Sequence, residues 1–461
     1  MEKNGVSYKN YVHFIIGVFV LVLGLYFAVH YLLFSALCLT FTMVYWWITQ
    51  PVPLYLTALL PILVGPMSGV ISDTELAQAY GNKMIFLFLG GFILAIGIEK
   101  QKLHRYFAEL IIDKIGNTPF KIMLGFVLTT AFLSMWISNT ATALMMLPMA
   151  LAVNQSIPRF REKKRFTIAL LLSIAYAANI GGIATLIGTP PNVQMAGIMA
   201  ESYDYTIQFF DWFIFAFPLM LSLLLVLVSV LYFLFLRKIH FEVSIPKHKK
   251  LNSAQKRVLS VFSIVVFLWV FAQPIQSIFD LKFSDTAVAI LGAFLLFIVP
   301  ENKKQHKALL VWEDLKRMPW GILFLFGGGL ALAKILSNAE AIAYGVSILT
   351  SFTGVTVFLL FLIIFFLVVF STELMSNLAL VSLVIPLMAE FAIVNDLPVF
   401  GIVSGIAISS SCAFMLPVAT PPNAIVFGAN VIPISTMMKV GLVLNVFSVL
   451  LITVAVYLFS I

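Results

Sequence analysis

The sequence predicts an all-α polytopic membrane protein with about 11 transmembrane helices plus two re-entrant hairpins, arranged as an inverted-topology repeat. Three observations carry that expectation. Of 461 residues, 61% are hydrophobic and only 10% charged, against about 45–50% and about 25% in soluble domains. Apolar runs long enough to cross a ~30 Å hydrocarbon core recur from the first tens of residues to the last. Three motifs also recur, in the same order, in the two halves of the chain. A string of soluble domains is thereby excluded. The net charge of +8 resides in short loops, where basic residues orient the chain in a bilayer, so no nucleic-acid partner is expected.

Spans are expected near 11–29, 31–49, 53–70 and 84–99, then an amphipathic stretch at 100–118. Further apolar runs cover 122–153, 166–200, 207–236, 258–279, 284–299, 319–337, 355–389, 399–430 and 436–460. The first run lacks an Ala-x-Ala-like cleavage site and reads as a retained span. Residues 158–165 carry five positive charges and one negative, and 237–257 carry seven basic residues against Glu242. Both loops are expected in the cytoplasm. The loops at 201–211 and 280–285 have no such excess and fall outside. This count puts the N-terminus in the cytoplasm and the C-terminus outside.

Two runs are too long for one crossing. Residues 122–153 form 32 uncharged residues, about 48 Å as a helix, with basic flanks at both ends. A segment that begins and ends on one side must turn back. The polar cluster Ser138-Asn139-Thr140-Ala141-Thr142 marks the turn. The 35-residue run 355–389 is interrupted by Ser371-Thr372-Glu373-Leu374-Met375-Ser376-Asn377, and the side count has it enter from the opposite face.

The repeats align by eye. Phe86-Leu87-Phe88 before Gly90-Gly91 matches Phe324-Leu325-Phe326 before Gly327-Gly328, and Ser138-Asn139 matches Ser376-Asn377, both at an offset of 238 (324 − 86; 376 − 138). Thr189-Pro190-Pro191-Asn192 matches Thr420-Pro421-Pro422-Asn423 at 231 (420 − 189). Paired prolines remove backbone donors and disfavour helix at the preceding residue, so each Thr-Pro-Pro-Asn element is expected to break a helix at membrane depth. Unwound carbonyls there can coordinate a cation, and half-helix N-termini can face an anion. Ser, Thr and Asn oxygens suit a hard monovalent cation. The tips contain no Arg or Lys, so a doubly negative substrate would need co-bound cations and helix dipoles.

These motifs resemble the divalent anion–sodium symporter family, and the resemblance covers almost the whole chain. It is carried by Trp46-Trp47-Ile48-Thr49, the Phe-Leu-Phe-Leu-Gly-Gly at 86–91, the stretch Ser134 to Thr142 and the stretch Ala413 to Asn423. The resemblance implies a secondary active carrier of C4/C5 dicarboxylates (succinate, malate, fumarate, 2-oxoglutarate), coupled to Na⁺, in the plasma membrane. It further implies a homodimer working as an elevator, with a scaffold at about 1–120 and 252–350 and a transport unit at about 121–251 and 351–461. One sodium site would use Ser134, Ser138, Asn139 and the Gly188 carbonyl. The other would use Asn377 with Thr372, Met375 and Ala419. Substrate would lie against Ser138, Asn139, Thr140, Thr189, Asn377, Leu378 and Thr420. Leu378 stands where the family pattern has Thr, which leaves open a Na⁺-independent dicarboxylate exchanger. A sulfate or citrate carrier of the same family is a further alternative.

Other residues read more plainly. Glu373, the only acid within the two hairpin runs, is either a contributor to cation affinity or a partner for backbone donors around the tip. Lys83 reads as a snorkelling residue at the membrane edge. The six His and two Cys (Cys38, Cys412) show no metal-ligand spacing. No nucleophile–base or Walker pattern is present, so neither an enzyme nor a cofactor other than the coupling ion is expected.

Overall fold

The computed structural model describes residues 8–28, 30–156, 163–241, 250–280, 282–302, 307–350 and 356–460. The expectations placed on 158–162 and 242–249, the centres of the two basic loops, lie outside the described residues. Among those described, the regular secondary structure is helical apart from one isolated bridge, Pro300 with Ala308, and nine helices are long and apolar enough to cross a membrane.

The chain opens with α1 (Tyr8–Phe27) and α2 (Leu32–Thr49), which pack together and are pinned where Trp46 Nε1 donates to the His13 carbonyl at 3.2 Å. The stretch 53–70 is not one span. Pro53 and Pro61 start two short helices, α3 (Leu54–Thr57) and α4 (Leu60–Ser68), because the fixed φ and missing N–H of proline favour a helix's first turn. A capping box between Ser72 and Glu75 starts α5 (Asp73–Tyr80), and Asn82 caps α6 (Lys83–Lys100). The amphipathic stretch is α7 (Leu103–Ile115).

Then come α8 (Pro119–Ser134), α9 (Asn139–Ser156), α10 (Lys163–Ile183), α11 (Pro190–Ser202) and α12 (Phe209–Leu231), the last running into a π-helical turn. The run expected at 258–279 divides into α13 (Ser253–Val270) and α14 (Ala272–Phe279). It is followed by α15 (Asp285–Ile298), α16 (Trp320–Asn338) and α17 (Ala341–Thr350). α17 was not anticipated: its ten residues are too short to register as a span. The chain closes with α18 (Val357–Ser371), α19 (Asn377–Val394), α20 (Val399–Ser411), α21 (Pro421–Phe427) and α22 (Ile434–Ser460).

Both long runs are thus helix–break–helix units at the expected positions, and both Thr-Pro-Pro-Asn elements separate two helices. Each hairpin's second arm packs on the half-helix of the other repeat, α9 on α21 and α19 on α11. At the centre of this cluster α10 is buried continuously from Phe166 to Ile183, as a helix apolar all round requires.

The glycine motifs show the repeat in atomic detail. Gly90 and Gly328 lie directly against Ala289 of α15 and Ala58 beside α3; a Cβ on either would come within 2.7 Å of those residues. Gly91 faces Ile187, and Gly329 faces Gln194 and Ser382. The structural pairing is therefore Gly90-Gly91 with Gly328-Gly329 (328 − 90 = 238), one residue beyond the Gly327-Gly328 alignment read by eye. Phe88 and Phe326, also 238 apart, meet edge to face with ring centroids 5.0 Å apart.

At the end of α6, Lys100 Nζ lies 2.6 Å from Asp314 Oδ2, which also accepts the Val311 N–H at 2.8 Å. Burial raises the Asp314 carboxyl, but the Lys100 and Val311 hydrogen bonds and the charges of Lys100 and Arg317 outweigh it and hold the group below the usual carboxylate range. Because the folded state lowers this pKa, the stability it contributes is present above the ordinary carboxylate value of about 3.9. It is lost as pH falls through the lowered folded value, and thermal melts in detergent should show an acid-limb loss that Asp314→Asn removes. Gly181→Ala should lower stability by about 1–3 kcal/mol in the same assay, because its Cβ would sit 2.5 Å from Ala131 Cα and force α8 away from α10.

Candidate functional site

Each hairpin turns through a few non-helical residues, 135–138 and 372–376, and each turn leaves backbone groups at membrane depth that side chains must satisfy. The two tips also share one side-chain arrangement, which reaches the neighbouring helices. At the first, the Ser134 hydroxyl lies 2.7 Å from Asn139 Oδ1 and 2.7 Å from the Ala178 carbonyl of α10. At the second, the Thr372 hydroxyl lies 2.8 Å from Asn377 Oδ1 and 2.7 Å from the Ser410 carbonyl of α20. Ser134 and Thr372, and Asn139 and Asn377, are each 238 apart. A hydroxyl, an amide oxygen and a helix carbonyl therefore converge twice.

The breaks after α10 and α20 match as closely. Thr189 (φ −143°, ψ 143°) and Thr420 (φ −140°, ψ 150°) are extended, and the two prolines open the next helix in both copies. Asn192 Nδ2 donates to the carbonyls of Thr185 at 2.8 Å and Gly182 at 3.2 Å. Asn423 Nδ2 donates to those of Leu416 and Ala413, both at 3.0 Å. Each partner sits 231 residues beyond its counterpart. The asparagine of the motif is thus the clamp that holds the unwound strand, a role the sequence reading did not assign. Its signal was present, since Asn ends both copies.

The expected residues distribute as follows. Gly182 brings the first set together: a Cβ there would meet both Asn139 Oδ1 and, at 3.1 Å, the Gly188 carbonyl, and Asn139 already contacts Ser134. Three of the four groups named for the first cation site are therefore neighbours. Ser138 Oγ accepts the Ala141 N–H at 3.3 Å and so caps α9. In the second set Thr372 and Asn377 are paired, while Met375 and Ala419 are half-buried in the adjoining turns. Thr420 accepts from Asn179 Nδ2 at 3.0 Å, which ties α10 beside the first tip to the second break. Thr140 is half-buried, whereas Leu378 and Thr189 are 4% and 3% exposed.

The repeats part company in how tip and break are joined. In the first, Thr185 Oγ1 donates to the Met135 carbonyl. In the second, position 373 (135 + 238) is Glu373, 4% exposed. Its carboxylate accepts the N–H groups of Phe414 at 2.8 Å, Met415 at 2.8 Å and Leu416 at 3.0 Å, and Asn445 Nδ2 at 2.8 Å. Of the two roles left open, the structure has the partner for backbone donors. Asn445, in α22, carried no sequence signal.

Residues 9–461 match the family model described as the sodium:sulfate symporter transmembrane region. The chain belongs to the sodium:sulfate symporter family. As a member it is a multi-pass membrane transporter, not an enzyme. It is 37% identical over 441 residues to the sodium-dependent dicarboxylate transporter SdcS of Staphylococcus saprophyticus, covering 91% of this chain and 85% of the relative. It is 36% identical over 445 residues, with the same shares covered, to the protein of that name in Staphylococcus aureus strain USA300. The family fold also resembles two solved structures. The Alcanivorax borkumensis YdaH transporter superposes with a TM-score of 0.61 at 14% identity, covering 88% of each chain. Neisseria gonorrhoeae MtrF superposes with a TM-score of 0.59 at 12% identity, covering 87% of this chain and 84% of its own. Identities this low speak to the fold alone.

Glu373→Ala strands the buried Phe414 N–H and Asn445 amide and the half-buried N–H groups of Met415 and Leu416, at up to about 1–3 kcal/mol each, so it should cost about 3 kcal/mol or more in detergent melts. Glu373→Gln, which keeps one acceptor oxygen, should lose less. Equal, small losses in both variants would contradict the clamp.

Proposed function

We propose that this family member is a secondary active transporter that carries C4 and C5 dicarboxylates, such as succinate, malate, fumarate and 2-oxoglutarate, together with Na⁺ across the plasma membrane. The observation that carries the proposal is the paired convergence of neutral oxygens at the two tips. Residues 122–156 and 335–438 contain no Arg or Lys, so nothing on the hairpins neutralises a dianion. Cations held by Ser134, Ser138, Asn139 and the Gly188 carbonyl, and by Asn377 with Thr372, Met375 and Ala419, would supply that charge, aided by helix N-termini. The dicarboxylate would lie between them against Ser138, Asn139, Thr140, Thr189, Asn377 and Thr420. Leu378 would give the second tip an apolar element where repeat-related Thr140 has a hydroxyl. The relatives named for sodium-dependent dicarboxylate transport support both substrate and ion.

Packing supports an elevator. Helices α8 to α12 and α18 to α22 contact one another across the repeats, α10 with α21 and α12 with α22, while α6 packs on α15 and α16 on α5. These groups correspond to a transport unit (about 121–251 and 351–461) and a scaffold (about 1–120 and 252–350). Gly91, Gly197 and Gly329 lie where the two meet, giving a smooth surface on which one unit can slide. The functional state is a homodimer joined through the scaffold, with the N-terminus cytoplasmic, the C-terminus external and the hairpins entering from opposite faces.

The test is labelled-succinate uptake into proteoliposomes, with and without a Na⁺ gradient and with and without internal dicarboxylate. Uptake should require the gradient and not the internal anion. Asn139→Ala and Asn377→Ala should each reduce it at least ~10-fold, since an interaction with a charged group is worth about 1.5–3 kcal/mol, while leaving the melting profile intact. Uptake that needs internal dicarboxylate and ignores Na⁺ would overturn the coupling. Near-normal uptake by either variant would overturn the two-tip site.

A further inference from the structure

The hairpins differ in one respect that their motifs do not announce. In the first, α8 and α9 pack on each other. In the second, α18 packs on α20 and α22 while α19 packs on α11, α16, α17 and α20, and the two arms stand apart. Between them lies a cavity of ≈ 740 Å³, walled by Leu360, Ile364 and Val368 of α18 and Val384, Met388 and Phe391 of α19. None of the residues assigned to the tips lines it. Its polar groups are confined to the ends: Ser371 at the inner end, beside Thr372, and Thr350 and Asn395 at the outer. Thr350 and Asn395 already donate to the carbonyls of Ser347 and Phe391.

We infer that the slot between α18 and α19 is a binding site for one acyl chain of a bilayer lipid. Four considerations converge on that occupant. Ile363 and Leu367, which form its lip, are 44% and 57% exposed and belong to the same outer surface of α18 as Leu359 and Phe366. The slot is therefore continuous with the face this membrane protein turns to lipid. Water is a poor filler, because a buried water needs 2–4 polar partners and the walls offer none between the ends. An empty slot of this size forfeits the contacts that close packing provides. The lining of α18 runs from Val357 to Ser371, about 21 Å of helix, enough for a chain traversing one leaflet of a ~30 Å core. A chain seated there holds the arms apart and ends against the residue preceding Thr372, so the second tip feels the bilayer directly while the first does not.

The test uses the intact protein in vesicles of phosphatidylcholine and phosphatidylglycerol in which a fraction of acyl chains carries a photoreactive diazirine. After irradiation, adducts are mapped by peptide mass spectrometry. Bulk lipid can reach Leu359, Ile363, Phe366 and Leu367; only a chain inside the slot can reach Val368 (3% exposed) and Met388 (6% exposed). Adducts on Val368 and Met388 are expected alongside those on the outer face. Val384→Trp, which fills the slot, should reduce the inner adducts at least five-fold and spare the outer ones. Labelling confined to the outer face of the unmodified protein would overturn the inference whatever the tryptophan variant does. So would a disulfide-linked dimer from Leu367→Cys, which would put a second copy of the chain at the slot. The experiment reads lipid contact alone and stands whichever anion the protein carries.

Discussion

Backbone that leaves the helix inside a membrane has no water to satisfy it, and most of what is distinctive here answers that constraint. Four interruptions occur at depth: two hairpin tips and two breaks after α10 and α20. Side chains supply partners around them: Thr185 and Ser138 bond the Met135 carbonyl and the Ala141 N–H at the first tip, Thr372 and Glu373 of the second tip bond the Ser410 carbonyl and the N–H groups of Phe414, Met415 and Leu416, and Asn192 and Asn423 hold the breaks. Trp212 Nε1 adds a further donor, reaching the Ile183 carbonyl at 2.9 Å. Every such group costs several kcal/mol if left alone in hydrocarbon, so these side chains are conditions of the fold. They also gather amide, hydroxyl and carbonyl oxygens into small volumes, which is the ligand chemistry a hard cation uses.

The repeat makes the solution economical and its exceptions informative. Wherever the halves agree, a residue and its counterpart hold matching partners at offsets of 238 or 231. Two disagreements set the second half apart. Glu373 replaces a carbonyl with a carboxylate that gathers three N–H groups and Asn445, and α18 and α19 stand apart where α8 and α9 close up. A buried carboxylate is expensive unless its lone pairs are filled, and here four donors fill them. The second hairpin is thus bound tightly to its broken helix at the tip while its two arms pack on other helices and not on each other, whereas the arms of the first touch.

Sequence by itself determined the class of the protein, because a hydrocarbon solvent permits few backbone solutions and composition reports the solvent. It also located both tips and both breaks, since polar clusters and paired prolines are conspicuous in apolar runs, and the repeat was legible because its motifs sit at fixed offsets. Partners across long separations were not legible. Asn445 meets Glu373 across 72 residues and Asn179 meets Thr420 across 241, and no local pattern encodes such meetings. Short or interrupted helices were missed for a related reason: α17, and the divisions within 53–70 and 258–279, are set by neighbours and single prolines more than by apolar length. The pairing of Gly90-Gly91 with Gly328-Gly329 and the open arms of the second hairpin were likewise decided only by tertiary structure, because contact between helices depends on which faces meet, and a linear pattern of apolar residues leaves that choice open.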